Sequence, residues 1–454
     1  MTVETFHARQ ALLAEGWAED TRISVQDGII TGIESGVAPA EGDQRVDHLL
    51  PAMSNHHSHA FQRAMSGLAE TRGSGTDTFW TWRDVMYRFA LAMDPDQMEA
   101  VATQLYMEML EAGFVQVGEF HYLHHDRDGR PYAEIGEMSE RLVAAAEATG
   151  IGLTLLPSFY AHSTFGGLPP VEGQRRFICD PDGFARILER CRALAASRAG
   201  VNVGVAPHSL RAVTPAELEQ VLAMADGAPV HMHVAEQIKE VDDCVAWSGL
   251  RPAEWLLQNA PLDDRWCFIH ATHLTEAELE GLLAAGVHMG LCPITEGNLG
   301  DGISRSRAVF EQGGSFGIGT DSNVSISIPD ELRQLEYSQR LTHHNRAVIA
   351  RQGASTGREL YQGARAGGSA ALGVSTDLGA GAPATFLAFD TAREPWLQRD
   401  RLMDRWIFGT ALRPDGLWVR GRQVVRSGTH VERERIEPRF RATMTELMSV
   451  TGLI

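Results

Sequence analysis

Short apolar runs, each closed by polar or ionisable residues, recur through the middle of this chain. The first enters at Leu49–Leu50 and ends at His57. The others are Phe114–His121, Ile151–Tyr160, Val201–His208, Pro229–Glu236, Trp266–His273, Val287–Pro293 and Ser315–Asp321. Stretches with apolar residues at helical spacing lie between them, such as Ala100–Ala112, Ser139–Thr149, Gly183–Ala195 and Ala277–Ala285. Strand and helix alternating eight times predict an α/β fold built on a (β/α)8 TIM-type barrel. A doubly wound sheet is the other arrangement, but no Gly-x-Gly-x-x-Gly follows the first strand to support it. The two ends of the chain read differently. Arg22–Ile33 alternates around an Asp-Gly turn and predicts a hairpin. Ala384–Asp390 reads as a strand, Leu417–Val425 as a hairpin around Gly421, and Glu432–Val450 as a helix. The expected organisation is a barrel over 51–374, flanked by one small β-domain assembled from residues 1–50 and 375–454.

Composition narrows the function classes. The chain has 454 residues, of which 44% are hydrophobic and 22% charged, as expected for a globular protein with ample core. A formal charge of −19 opposes nucleic acid and anionic membrane as partners. No apolar run is long enough to span a bilayer, and the N-terminus lacks the layout of a secretory signal. Cys179, Cys191, Cys244, Cys267 and Cys292 are scattered without a Cys-x-x-Cys, which fits a reducing cytoplasm. The basic residues are nearly all arginine, with Lys239 the only lysine.

The candidate chemistry sits where the apolar runs end. His57 and His59 are two residues apart, so on an extended chain both imidazoles face one side. The fifth run ends His231-Met-His233-Val-Ala-Glu236, the sixth His270-Ala-Thr-His273, and the eighth Gly319-Thr-Asp321. A barrel brings the carboxyl ends of its strands to one mouth. At least three histidines and an aspartate converging there, with a position open for water, would make a catalytic metal site. Plainer readings apply elsewhere. His231 reads as a supporting core residue and His273 as a helix-capping or supporting one. His121, His124 and His125 read as a solvated loop, and His343-His344 as surface. Glu296 reads equally as pocket lining or as a turn stabiliser. The aromatic Phe79–Trp82 stretch reads as part of a long loop, with a lid favoured over a simple anchor.

The run Pro51–Ala60, His233-x-x-Glu236, His270 and Asp321 resembles the amidohydrolase superfamily over essentially the whole chain. Within it, Asn55–Arg63, His231–Gln237 and Ala206–Val213 are similar to the bacterial N-formimino-L-glutamate iminohydrolases of histidine degradation. The resemblance implies that the terminal hairpins form a composite β-sandwich. It implies one divalent metal, zinc first and Fe2+ or Mn2+ as alternatives, held by His57, His59, His233 and Asp321. It also implies a homodimer. Binuclear members bridge two metals with a carboxylated lysine after the fourth strand, and Val201–His208 has none, which favours the mononuclear branch.

The expected reaction is hydrolysis of a linear amidine, N-formimino-L-glutamate, to N-formyl-L-glutamate and ammonia. His270 and Asp321 are placed to accept a proton from water, with His270 favoured by the resemblance, and Glu236 to pass one towards departing ammonia. The substrate's two carboxylates suit arginine, whose fork binds them bidentately. The resemblance places Gln62, Arg83, Tyr122, His208 and Arg211 around the substrate. Competing readings are a deaminase of an aminated purine, pyrimidine or triazine ring, and a non-catalytic relative that lost the metal. The pair Arg83 and Arg211 argues against the former, and the full ligand set against the latter.

Overall fold

The computed structural model describes residues 3–72 and 78–452. Its first four strands are β1 (Glu4–Leu13), β2 (Gly16–Gln26), β3 (Ile29–Glu34) and β4 (Gln44–Pro51). They share one eight-stranded sheet with β14 (Phe386–Phe389), β15 (Gly416–Val419), β16 (Arg422–Arg426) and β17 (Thr429–His430), in the order β17-β16-β15-β14-β4-β1-β2-β3. The two chain ends meet where β4 pairs antiparallel with β14. The sheet curls, because Ile30 exchanges backbone hydrogen bonds with residues 381 and 382. Phe6, Phe386 and Trp418 fill the resulting core, their ring centroids 5.0–5.4 Å apart.

The predicted barrel follows at once. β4 ends at Pro51 and β5 (Met53–Ser58) begins two residues later, so the His57 motif is delivered straight from the outer sheet. β5, β6 (Phe114–His121), β7 (Gly152–Phe159) and β8 (Val201–Val203) form one parallel sheet. β10 (Val230–Val234), β11 (Trp266–His270), β12 (His288–Leu291) and β13 (Phe316–Ile318) form another. Parallel bridges Val205–Val230 and Ser58–Asp321 join the two and close the barrel. The fourth predicted strand is broken: β9 (Ala206–Pro207) resumes the pairing with β7 that β8 leaves. Gly204 lies in the break, where a Cβ would come within 2.6 Å of the Pro229 carbonyl, so only glycine lets the backbones pass.

Two details differ from the sequence reading. The Phe79–Trp82 stretch is not irregular loop but the start of helix α1 (Phe79–Ala92). Thr78 caps it: the Thr78 hydroxyl accepts from the free Trp80 N–H, and the Thr78 N–H donates to Thr81 Oγ1. α1 precedes α2 (Pro95–Ala112), which Gly113 ends at φ 104°. The C-terminal helix Arg433–Thr451 lies on α2 rather than on the outer sheet. Its face Ile436, Thr443 and Leu447 is buried, and Arg433 and Arg439 pair with Glu111 and Glu99 of α2. No helix among the described residues is long and apolar enough to cross a membrane.

Candidate metal and active site

The mouth of the barrel is organised by backbone geometry before any side chain acts. Three positions at strand ends take left-handed φ values without being glycine: Ala235 (52°), His270 (67°) and Asp321 (44°). Such conformations cost about 1–2 kcal/mol each for an L-residue and persist only where the surroundings enforce them. Here Asn323 enforces one, its amide donating to Ser58 Oγ and to the carbonyls of His59 and Asp321. Asn55, inside the first motif, donates to Thr320 Oγ1 (2.7 Å) and accepts from Thr320 N–H (3.1 Å). The strand-end histidines and the aspartate are thereby held across a separation of some 265 residues.

His57, His59, His233 and Asp321 bring one ligand atom each into a single buried group. His57 Nε2 lies 3.2 Å from His59 Nε2, from His233 Nε2 and from Asp321 Oδ1. His59 Nδ1–H donates to the Phe120 carbonyl (2.9 Å) and His233 Nδ1–H to the His208 carbonyl (3.0 Å). Those bonds assign the protons of His59 and His233 to Nδ1, so their Nε2 atoms carry lone pairs, and that of His59 lies 3.2 Å from Asp321 Oδ1. Burial moreover pushes the pKa values of His57 and His233 well below the ordinary histidine range. Lone pairs and a carboxylate oxygen packed at 3.2 Å repel unless a cation lies among them. Tetrahedral ligands about 2.0–2.1 Å from zinc stand about 3.3 Å apart, which these spacings match. The residues present therefore fit a divalent ion. A second grouping, His270, Cys292 and Asp321, is a poorer set. Burial pushes the Cys292 thiol well above its usual pKa, away from the thiolate a metal needs.

Glu236 and His270 face this group. His270 Nε2 is 3.8 Å from Glu236 Oε1 and 4.0 Å from Asp321 Oδ2, and His270 Nδ1 is 3.4 Å from Glu296 Oε1. Burial pushes the Glu236 carboxyl up. Burial would lower His270, but the carboxylates of Glu236, Glu296 and Asp321 outweigh it and raise the ring to about 10. The two groups compete for one proton across a short gap, a pairing able to hold and move it. Glu240 accepts from the Ala235 and Glu236 N–H groups and fixes the turn that carries Glu236.

The cavity over these groups is lined by all five residues expected to surround a substrate: Gln62, Arg83, Tyr122, His208 and Arg211. Gln62 donates to the Tyr122 hydroxyl at 2.8 Å. Arg211 is buried, with Glu236 Oε2 3.8 Å away, beyond hydrogen-bond reach. The Nε atoms of Arg83 and Arg211 are buried and unpaired among the described residues. Unmet guanidinium donors in a closed space mark a site for an anion.

Several residues here escaped the sequence reading. Tyr160 and Phe177 line the same cavity. Asp301 is buried, accepts from the Gln237 side chain, and offers its carbonyl to His273 Nε2–H at 2.8 Å. Its carboxyl is raised to about 9, first by burial and then by Glu236. Asp301 follows a glycine in a run without periodicity, so nothing local points to it. Of the two roles left open for Glu296 the structure shows the turn-stabilising one: it accepts from the Cys292 N–H at 2.8 Å and lies against His270 without lining the cavity. His231 is buried and donates to the Ala371 carbonyl, as a supporting residue does. His343 and His344 are exposed. His121, His124 and His125 are a correction, because they are buried rather than solvated. His124 and His125 donate to the carbonyls of Ser158 and Ile178 at 2.8 Å, and Arg176 binds the same loop.

Comparison with known proteins agrees with this geometry. The model of the amidohydrolase family matches residues 48–424, and that of the formimidoylglutamate deiminase HutF N-terminal domain matches residues 3–47. The chain is 48% identical to a formimidoylglutamate deiminase of Pseudomonas aeruginosa, over 97% of this chain and 99% of that protein. A 5-methylthioadenosine/S-adenosylhomocysteine deaminase of Shouchella clausii is 27% identical over 70% of each chain. Among solved structures, an amidohydrolase from Brucella melitensis superposes with a TM-score of 0.96 at 54% identity, covering 98% of this chain and 100% of that one. A zinc-bound adenosine deaminase from Xanthomonas campestris shares the fold, with a TM-score of 0.80 at 20% identity and 98% of both chains covered.

Proposed function

The chain belongs to the amidohydrolase family, and from that premise we propose that it hydrolyses N-formimino-L-glutamate to N-formyl-L-glutamate and ammonia. It is a hydrolase acting on a linear amidine C–N bond, as its Pseudomonas relative is by name. The observation that carries the substrate is the pair Arg83 and Arg211, whose buried, unpaired donors share one cavity with the four-ligand group. Two guanidinium forks suit a substrate with two carboxylates better than an uncharged aromatic ring.

In this reading His57, His59, His233 and Asp321 hold one divalent ion, zinc by preference. Bound there, such an ion acidifies a water towards neutral pH and polarises the bond to be cleaved. His59 and His233 are kept in the ligating tautomer by the carbonyls of Phe120 and His208. His270 takes the proton from water. Its neighbouring carboxylates favour the cation, and an ion held by Asp321 would supply the opposing positive charge that lets the ring serve as a base. Glu236, 3.8 Å from His270, carries the proton to the amidine nitrogen and holds the cationic amidine while doing so. Arg83 and Arg211 take the carboxylates, with Gln62, Tyr122 and His208 completing the wall around the substrate. We take the chain as a barrel over 51–374 with a second domain from 1–50 and 375–454, and as a cytoplasmic homodimer in histidine degradation.

The test is ammonia release by zinc-loaded protein from N-formimino-L-glutamate, with N-formimino-L-aspartate, guanine and cytosine alongside. Release from the glutamate compound, with N-formylglutamate as co-product, is the expected result. Release from a ring compound alone would leave the ligand group standing and remove the two-arginine pocket.

A further inference from the structure

Trp80 is absent from every role assigned so far, yet three cations surround it. The Arg83 guanidinium lies 4.5 Å from the centre of its ring, that of Arg211 6.0 Å, and Lys239 Nζ 5.9 Å. These come from three separate parts of the chain. Arg83 is on α1 with Trp80, Arg211 follows β9, and Lys239 is the second residue of the helix Ile238–Ser248, three residues past Glu236. Arg83 is also 5.5 Å from the Tyr87 ring, so its guanidinium is held between two aromatic rings on one helix.

Two guanidiniums facing one cavity repel each other, and long side chains lose rotamer freedom when ordered. Something must hold them. A carboxylate partner would do so by occupying their donors, and among the described residues neither arginine has a carboxylate in hydrogen-bonding contact. An indole attracts a cation through its quadrupole and leaves the N–H forks free. Lys239 also pairs with Asp243 at 2.6 Å, one turn on along its own helix.

We propose that Trp80 is a positioning residue that sets specificity for a dicarboxylate, gathering Arg83 and Arg211 against one indole so that both forks face the substrate's two acid groups. The inference rests on the reaction proposed above for its substrate class but concerns a residue that touches the arginines, not the reacting atoms. It makes Trp80 a link between the α1 segment and the turn that carries Glu236, since Lys239 follows that turn.

The test compares Trp80→Ala and Trp80→Phe with the unaltered full-length protein, metal-loaded in each case. Binding of N-formyl-L-glutamate and of N-formylglycine is read by calorimetry, and KM and kcat are read with N-formimino-L-glutamate. Trp80→Ala is expected to weaken N-formyl-L-glutamate binding and raise KM by about tenfold, with kcat within about twofold. N-formylglycine, with one carboxylate, is expected to lose far less, and Trp80→Phe to recover most of the difference because it keeps a ring. Undiminished binding of N-formyl-L-glutamate by Trp80→Ala, or equal losses for both acids, would overturn the proposal. The binding measurement stands apart from turnover. A protein that binds the dicarboxylate through Trp80 but releases no ammonia from N-formimino-L-glutamate would sink the reaction and keep the positioning role.

Discussion

Two sets of buried histidines in this barrel do opposite things. His57, His59 and His233 turn Nε2 atoms towards one another at 3.2 Å. His124, His125 and His231 turn theirs to backbone carbonyls at 2.7–2.8 Å. Residue type and burial are shared, so neither distinguishes a ligand from a structural residue. The difference is what the second nitrogen meets. His59 and His233 also give one nitrogen to a carbonyl, but their other nitrogens converge with His57 and Asp321, an arrangement that calls for a cation. His56, adjacent to a proposed ligand, shows how local the distinction is. It packs into the barrel interior, where a Cβ on Gly290 or Gly317 would come within 2.8 or 3.0 Å of its ring nitrogens.

The sharpest way to break this comparison is to remove one histidine from each set. His233→Ala is expected to abolish bound divalent ion, measured by elemental analysis, and to drop ammonia release to the blank. His124→Gln is expected to keep both. Equal metal content in the two variants would erase the distinction. Next in size is Glu236→Gln, which should retain the ion and lose about 10²–10⁴-fold in kcat, since a positioned proton carrier contributes that much. Near-normal turnover would take Glu236 out of the mechanism. Arg211→Met should raise KM for N-formimino-L-glutamate by about 10²-fold, the worth of a charged hydrogen-bond pair. Unchanged selectivity over N-formimino-glycine would place the carboxylate contact elsewhere.

The smallest effect concerns stability alone. Burial lowers His124 to about 3 from the usual 6.5, so between those values the unfolded chain binds the proton and the folded one does not. Its contribution is fully present above pH 6.5 and is lost as pH falls towards 3. A histidine kept neutral in this way costs about 2 kcal/mol of stability between pH 7 and pH 5. Urea titrations at the two values should therefore show a smaller pH 7-to-5 loss for His124→Gln than for the parent. Parallel losses would mean that His124 is reached by solvent.

Much of the architecture can be read from local pattern, because periods of two and 3.6 residues are properties of the backbone. The eight apolar runs are the eight barrel strand positions, and Tyr160, His208, Glu236, His270 and Asp321 among the residues closing them line the cavity at the mouth. The His57-x-His59 spacing already places two imidazoles on one side. Where local pattern failed, the cause was distance along the chain. The loop of His121, His124 and His125 looks polar and solvated in isolation, and only Arg176 and the carbonyls of Ser158 and Ile178, at least 34 residues away, bury it. Phe79–Trp82 looked like loop because a helix only 14 residues long has a weak signature beside its cap.

The sequence by itself determined the order of strands and helices, the side of the barrel that carries chemistry, and the residue types available there. Those follow from short-range sterics and from hydrophobic periodicity, which act between near neighbours. The tertiary structure decided which histidines turn their Nε2 atoms together and which turn them to a carbonyl. It also decided that Asp301 meets Gln237, and that Trp80 stands among Arg83, Arg211 and Lys239. Those pairings depend on how a closed barrel folds distant strand ends onto one mouth, and no local rule encodes a contact between residues 131 or 159 positions apart.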